Sequence, residues 1–333
     1  MTPVCPLCGS GASLLYGDMT DRVFGSPGEW NLMQCTSHDC GLIWQNPAPS
    51  FEELSKAYEN YYTHAMSASD SLFKRIYNKF RLGYLSGRFG YSDAGITWLD
   101  KLAGKLIALL PHRRSAFDSS VMWLDALQEG ELLEIGCGRG ERMALLSQLG
   151  WNTHGLEPDA SAAMLAQKAG LQVSVNTLDE AQLPSDSFDA IIMSHVIEHL
   201  PAPQWVVKEC LRILRPGGRL VMLTPNTDSL GHRWYGRDWL HLDPPRHLFL
   251  FNRTSMHKIF EETGYSDVSC QTVLRDANWT LAASRALQKS NRYTFGSLPV
   301  REKLYALVQL YYEWIRMKVT PYVGEELLLM ARK

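Results

Sequence analysis

Three groups of residues in this chain have the types and spacing that do chemistry. The first is thiolate. Cys5 and Cys8 form a C-x2-C knuckle, and Cys35 and Cys40 form a C-x4-C pair 26 residues further on, each pair closing on glycine. Two such knuckles joined by a hairpin predict a closed, four-coordinate structural Zn2+ site. Four thiolates complete the shell, and His38 inside the second knuckle is a donor that could replace one of them. The second group is Glu134-Ile-Gly136-Cys137-Gly138-Arg-Gly140, with Glu157 further on. Glycines at a strand-to-helix turn let backbone N–H groups approach a ligand at the positive end of the helix. A carboxylate ending the next strand can take both hydroxyls of a ribose. The third group holds the titratable side chains His195, Glu198, His199, His241, Asp243 and His247, the inventory of general acid–base work.

These groups need elements to hold them. From Glu131 onward the apolar pattern alternates between strand and helix: strands at 131–135, 153–157, 171–175, 188–194 and 219–224, with helices at 141–149, 160–169 and 203–214. Such alternation predicts a parallel sheet covered on both faces. A helix at 254–263, a strand at 266–272 and a final strand at 325–331 follow, with a helix at 301–319 between the last two. Upstream, Ser50 caps a helix over 51–62. Residues 70–128 show helical spacing only, with Leu99, Leu102, Leu106, Leu109 and Leu110 in one stripe. Three segments follow: a zinc ribbon over 1–50, a helical cap or linker over 51–128, and a sheet domain over 129–333 with a helical insertion at about 278–320.

The run from Glu131 to Thr224 resembles the class I S-adenosylmethionine-dependent methyltransferases. It does so through Glu134–Gly140, Gly155-Leu-Glu157-Pro-Asp159, Asp186-Ser-Phe-Asp189, Glu198-His199-Leu200 and Leu214-Arg-Pro-Gly-Gly218. The resemblance implies an α/β, Rossmann-like seven-stranded sheet of order 3-2-1-4-5-7-6 with its last strand antiparallel. It also implies S-adenosyl-L-methionine as cofactor. Glu157 would then hold the ribose diol, Glu134 would lie near the ammonium group, and Gly136, Cys137, Gly138 and Gly140 would line the backbone approach. Pro158, Thr177 and Leu178 would flank the adenine, and His195 would stand near the sulfonium. In some methyltransferases a Glu/His set at the position of Glu198 and His199 binds a divalent metal; bracing of the following turn is the simpler expectation. The ribbon is similar to N-terminal zinc segments on bacterial small-molecule and sugar methyltransferases. The longer sugar C-methyltransferases carry a further C-terminal domain that the residues after the seventh strand do not supply, so O-methylation of a sugar or other small-molecule or glycan hydroxyl is the expected reaction. A hydroxyl nucleophile must lose a proton, and His247 is the expected base, with Asp243 or Glu198 orienting it and His241 as runner-up.

Composition bounds the rest. Net charge is -2 over 333 residues, which gives no global field for nucleic acid. Residues 1–50 contain one Arg and no Lys, which argues against a ribosomal RNA methyltransferase whose ribbon tracks phosphates. A ribbon protein that binds the cofactor without turnover is the non-enzymatic rival, and the complete glycine motif and His247 speak against it. No apolar run reaches the ~18 residues of a membrane span, and no secretory signal is visible, so the cytoplasm is expected. Yet residues 73–114 hold nine Lys or Arg against two Asp, and residues 281–320 seven against two Glu. With their apolar stripes these segments are expected to cover the site, to form a homodimer contact, or to touch the inner face of the membrane near a lipid-linked acceptor.

Overall fold

The computed structural model describes all residues except 1–2, 59–71, 93–94, 128–129, 262 and 295–297, and the backbone alone of residue 73. Strands Ala12–Met19 (β1) and Trp30–Cys35 (β2) form the antiparallel hairpin expected between the knuckles, and Ile43–Gln45 (β3) adds to it. Helix Phe51–Tyr58 (α1) starts where expected. Ser50 N–H donates to the Glu53 carboxylate at 2.7 Å and Glu53 N–H donates to Ser50 Oγ at 3.3 Å, a reciprocal cap. The stretch 59–62 of the predicted helix lies outside the described residues.

Leu72–Phe89 (α2), Trp98–Ile107 (α3) and Pro111–Ser120 (α4) follow. Helices α2 and α3 meet backbone to backbone. A Cβ on Gly104 would fall 2.2 Å from the Phe80 carbonyl oxygen, and one on Gly83 would fall 2.5 Å from that of Asp100. That contact spends the small-residue face of α3 on α2, so the leucine stripe of α3 is left exposed.

The sheet domain contains Glu131–Ile135 (β4), Glu141–Gln148 (α5), Asn152–Leu156 (β5), Ala160–Lys168 (α6), Gln172–Ser174 (β6), Phe188–Ser194 (β7), Pro203–Ile213 (α7) and Leu214–Pro225 (β8). Leu230–Tyr235 (α8), Phe249–Leu250 (β9), Arg253–Phe260 (α9), Ser266–Val273 (β10), Ala277–Ser290 (α10), Val300–Met317 (α11) and Glu326–Arg332 (β11) complete it. Seven strands lie in the order β6-β5-β4-β7-β8-β11-β10, which in order of appearance along this domain is the expected 3-2-1-4-5-7-6. Pairings around β4 and β5 are parallel. Gly217 N–H donates to Lys333 and Asn226 N–H to Glu325, so β11 runs antiparallel to β8. Residues Leu214–Gly218, which resemble a family turn, are the first part of β8 here.

A second sheet has the order β1-β2-β3-β9, so Phe249 and Leu250 complete the sheet of the ribbon. The chain divides into two compact units, Met1–Tyr61 with Ser194–Leu211 and Met222–Ala331, and Tyr62–Met193 with Arg212–Val221 and Arg332–Lys333. Within the first, α11 differs from expectation. It buries Ala306 and Leu310 together with Glu302 and Glu313, and leaves Leu304, Val308 and Ile315 exposed. An apolar stripe reports a face, but not which of two faces meets the core.

Candidate functional site

The glycine loop follows β4 because three left-handed backbone conformations have to be made in five residues: φ is +69° at Gly136, +55° at Gly138 and +74° at Gly140. Gly136 and Cys137 N–H groups donate to the Leu156 carbonyl at 2.8 and 3.2 Å, which ties the loop to the end of β5. Gly138 N–H donates to Glu157 Oε2 at 2.7 Å, and Asp159 N–H donates to Glu157 Oε1 at 2.9 Å. Both carboxylate oxygens are thereby aimed, and each keeps a lone pair for a ligand hydroxyl. A Cβ on Gly138 would meet nothing within 4 Å, so the loop leaves open space where the chain could receive a ligand.

Glu134 is buried. Arg142 Nη1 donates to its Oε1 at 2.6 Å, while Oε2 has no hydrogen-bond partner. Burial raises the carboxyl pKa and Arg142 opposes that rise. An orphaned buried acceptor beside an open loop is suited to a cationic group. The Arg142 ion pair was not legible in the sequence, although Arg142 stands in the first turn of the helix that the motif opens.

The Cys137 side chain packs with Met143, Ala163, Ala166 and Val173, and a Cβ on Gly155 would fall 2.6 Å from its Sγ. The side chain is thus a packing group, and burial pushes its thiol pKa well up. Thr177 N–H and Oγ1 donate to Glu180 and Asp179, closing their own turn, while Leu178 is buried and Pro158 exposed.

In the other unit, Cys5, Cys8, Cys35 and Cys40 bring four sulfurs within 4.8 Å of one another. Cys5 and Cys40 Sγ are 3.7 Å apart and Cys8 and Cys35 Sγ 3.5 Å. A tetrahedron of ~2.3 Å Zn–S bonds has edges of about 3.8 Å, so the set fits zinc without rearrangement. Gly9 and Gly41, with φ of +71° and +64°, supply the left-handed turns that close the knuckles. His38 is exposed and outside the set.

The histidines of this unit gather around Glu198, whose Oε2 accepts from Thr224 Oγ1 at 3.0 Å. His195, itself left-handed at φ +56°, lies between two carboxylates: Nδ1 is 3.2 Å from Glu198 Oε1 and Nε2 is 2.6 Å from Glu326 Oε1. Burial alone would lower its pKa, but Glu326 and Glu198 raise it to about 9. Held between two carboxylates, His195 is favoured as an imidazolium near neutral pH. His241 is the opposite case. Burial and the neighbouring His195 cation lower its pKa to about 3, and it stacks on His195 with ring centroids 5.7 Å apart.

His247 differs from both. Its Nδ1 is 2.7 Å from the His241 carbonyl oxygen, which can only accept, so Nδ1 carries a proton and Nε2 is the nitrogen left to exchange one. Nε2 lies 4.0 Å from both Glu198 Oε1 and Asp243 Oδ2. Asp243 does not orient it: its two oxygens accept from Arg246 Nε and Nη2. Arg246, fully buried, also donates to Asp21 Oδ2 at 2.9 Å and to the Ala57 carbonyl, with its guanidinium 4.4 Å from the Phe24 ring centroid. Gln45 in β3 donates to the carbonyls of Pro245 and His247. Arg246, Asp21, Gln45 and Glu326 were missed by sequence reasoning, because each acts on a partner tens or hundreds of residues away.

Glu198, His199 and His247 also place three donor atoms within 4.8 Å of one another, so His247 joins the Glu/His pair in a set that could hold a divalent cation as well as a proton. Trp239 and Tyr235 are in the core, and Trp239 Nε1 donates to Glu325 at 2.9 Å.

Residues 102–270, just over half of the chain, match the family described as a methyltransferase domain. A probable S-adenosylmethionine-dependent methyltransferase of Mycolicibacterium smegmatis is 32% identical over 139 residues, 40% of this chain and 51% of that protein. The mitochondrial ubiquinone biosynthesis O-methyltransferase of Mus musculus is 31% identical over 112 residues, 31% of this chain and 30% of that protein. The chain therefore spans about half or less of these curated relatives. Among solved structures, a SAM-dependent methyltransferase from Thermotoga maritima, a possible histamine N-methyltransferase, aligns with a TM-score of 0.44 at 19% identity, over 75% of this chain and 99% of that chain.

Two outcomes are expected. Protein purified without chelator carries one zinc per chain by elemental analysis, and Cys8→Ser carries none and loses the ribbon sheet, since structural zinc contributes on the order of 10 kcal/mol; a zinc-free wild type contradicts this. His195, with its pKa raised from an unfolded value of ~6.5 to about 9, contributes stability that is full below pH ~6.5 and is lost as pH rises through 9. Denaturation midpoints of the wild type should fall across that window and those of His195→Gln should not; parallel curves reject the assignment.

Proposed function

Because the chain belongs to the methyltransferase-domain family, we propose that it moves the methyl group of S-adenosylmethionine onto a hydroxyl of a small-molecule or glycan acceptor, such as a sugar. The residues present fit this donor. Glu157 offers two aimed oxygens to a ribose diol, the unpartnered Glu134 Oε2 suits the ammonium group, and the open space at Gly138 admits the cofactor against the backbone. When bound, adenosylmethionine supplies an activated methyl on sulfur, and transfer is an in-line displacement in which alignment lowers the barrier most.

The observation that carries the hydroxyl reading is the tautomer of His247. The oxygen of a neutral hydroxyl must shed its proton as the new C–O bond forms. His247 has Nδ1–H fixed on a backbone carbonyl, which leaves Nε2 as the ring nitrogen able to take that proton. His195 is charged and His241 is a very weak base, so neither competes for the role. Two supports are weaker. The mouse relative is by name an O-methyltransferase, and the ribbon resembles those on sugar methyltransferases. Zinc in the thiolate set would brace the ribbon and take no part in transfer, because a four-thiolate shell has no open position.

Calorimetry with adenosylmethionine tests the donor half. Glu157→Ala should weaken binding by ~1.5–3 kcal/mol, the cost of losing charge-assisted hydrogen bonds. Turnover across a panel of hydroxylated acceptors tests the other half. His247→Ala should lower it about 10²–10⁴-fold while donor affinity stays near wild type. Undiminished donor binding in the first variant removes Glu157 from the site, and undiminished turnover in the second rejects a hydroxyl acceptor.

A further inference from the structure

Helix α3 is amphipathic in an unusual sense: its small residues face the protein and its large apolar residues face away. Gly104 and Ala108 are buried, and Gly104 lies against the backbone of α2. On the opposite face Leu99, Leu102 and Leu106, and Leu109 just past the C-cap, are 48–75% exposed, following the i, i+3, i+7, i+10 spacing of one helical stripe. Trp98, 71% exposed, stands at the edge of that stripe. Lys101 and Lys105, also exposed, form one flank. An exposed contiguous patch of this kind marks an interaction surface.

Charge selects the partner. Helices α2 and α3 together carry seven Lys or Arg and a single acid, Asp100. Asp100 is committed to the cap of α3, accepting from Thr97 N–H at 2.9 Å and Thr97 Oγ1 at 2.6 Å. A protein partner could bury the leucines, but Lys101 and Lys105 beside them, with the one acid of the two helices committed to a cap, ask for a surface of negative charge. A leucine face, a Trp at the boundary and flanking lysines is the arrangement of a helix lying in the interfacial plane of a bilayer, with lysine stems reaching apolar depth and ammonium groups remaining at the headgroups. No helix among the described residues is long and apolar enough to cross a membrane.

We propose that the α2–α3 helical hairpin docks the protein on an anionic lipid bilayer, the leucine face of α3 entering the headgroup boundary and Lys101 and Lys105 meeting the lipid charge. Such docking would hold the enzyme where amphipathic or lipid-linked acceptors concentrate. The surface stands on its own observations and does not need the reaction proposed above.

Co-flotation of the full chain with vesicles tests this. Wild type should float with vesicles of equal parts phosphatidylcholine and phosphatidylglycerol, far less with phosphatidylcholine alone, and less as salt rises. Leu102→Glu/Leu106→Glu should abolish flotation, and Lys101→Gln/Lys105→Gln should weaken it about tenfold or more. All four positions are exposed, so the variants should keep the wild-type circular dichroism, melting and adenosylmethionine affinity. A wild type that stays unbound with both vesicles, or leucine variants that bind like wild type, overturns the proposal. So does a wild-type dimer in sedimentation that the leucine variants turn into monomer, which would make the face a contact between copies of this chain. Retained donor binding with lost flotation, or the reverse, separates this surface from the reaction.

Discussion

The unit that holds the histidines depends on one buried cation. Removing a guanidinium from water costs several kcal/mol, and Arg246 recovers this only because every side of it is answered. Asp243 takes two of its N–H groups, Asp21 and the Ala57 carbonyl take others, and the Phe24 ring faces its plane. Asp21 is in turn fixed by the N–H groups of Val23, Phe24 and Ser26. The charge therefore joins the hairpin between the cysteine knuckles to the residue immediately before His247. Gln45 repeats the connection through the carbonyls of Pro245 and His247, and β9 does so again by pairing with β3. The ribbon is thus part of the framework that sets the backbone around His247, and zinc in the four-thiolate set would act on that site through structure alone.

The same unit shows how environment separates four similar imidazoles. His195, between Glu198 and Glu326, keeps its proton. His241 and His199, buried beside cationic or like neighbours, are held neutral, with pKa values lowered to about 3 and about 4. His247 receives its definition from hydrogen-bond geometry, through the carbonyl of His241. The backbone of one histidine orients another, so His241 bears on the site even though it is a poor base. In the other unit the division of labour is similar. Backbone N–H groups aim Glu157, while Arg142 engages only one oxygen of Glu134 and leaves the second for a ligand.

Much of this was legible in the sequence because it is local. The knuckle spacing, the glycine loop, the carboxylate at the end of β5 and the strand–helix alternation are each encoded within a few residues, and the sheet order followed from the resemblance they carry. What the sequence did not yield are pairings across long separations. Asp243 looked like the orienter of His247 because it is four residues away; the fold gives it to Arg246, whose second carboxylate, Asp21, is 225 residues distant. Cys137 lies inside the glycine motif, yet it turns into the core to meet Met143 and the bare face of Gly155. Periodicity located the stripe of α3, but the helix presents small residues inward and its leucines outward, because the glycine contacts with α2 decide which face is buried.

The central claim is that the fold fixes Nδ1–H of His247 on the His241 carbonyl and leaves Nε2 as the nitrogen that handles the substrate proton, and that the Arg246 cluster maintains this. Long-range 1H–15N correlation of the histidine rings, with His247 assigned by its loss in His247→Gln, reads the tautomer directly. The account predicts a protonated Nδ1 and a lone pair on Nε2 in the wild type, and loss of that single tautomer in Asp21→Ala. A proton on Nε2 in place of Nδ1, or a His247 signal unchanged by Asp21→Ala, would contradict it.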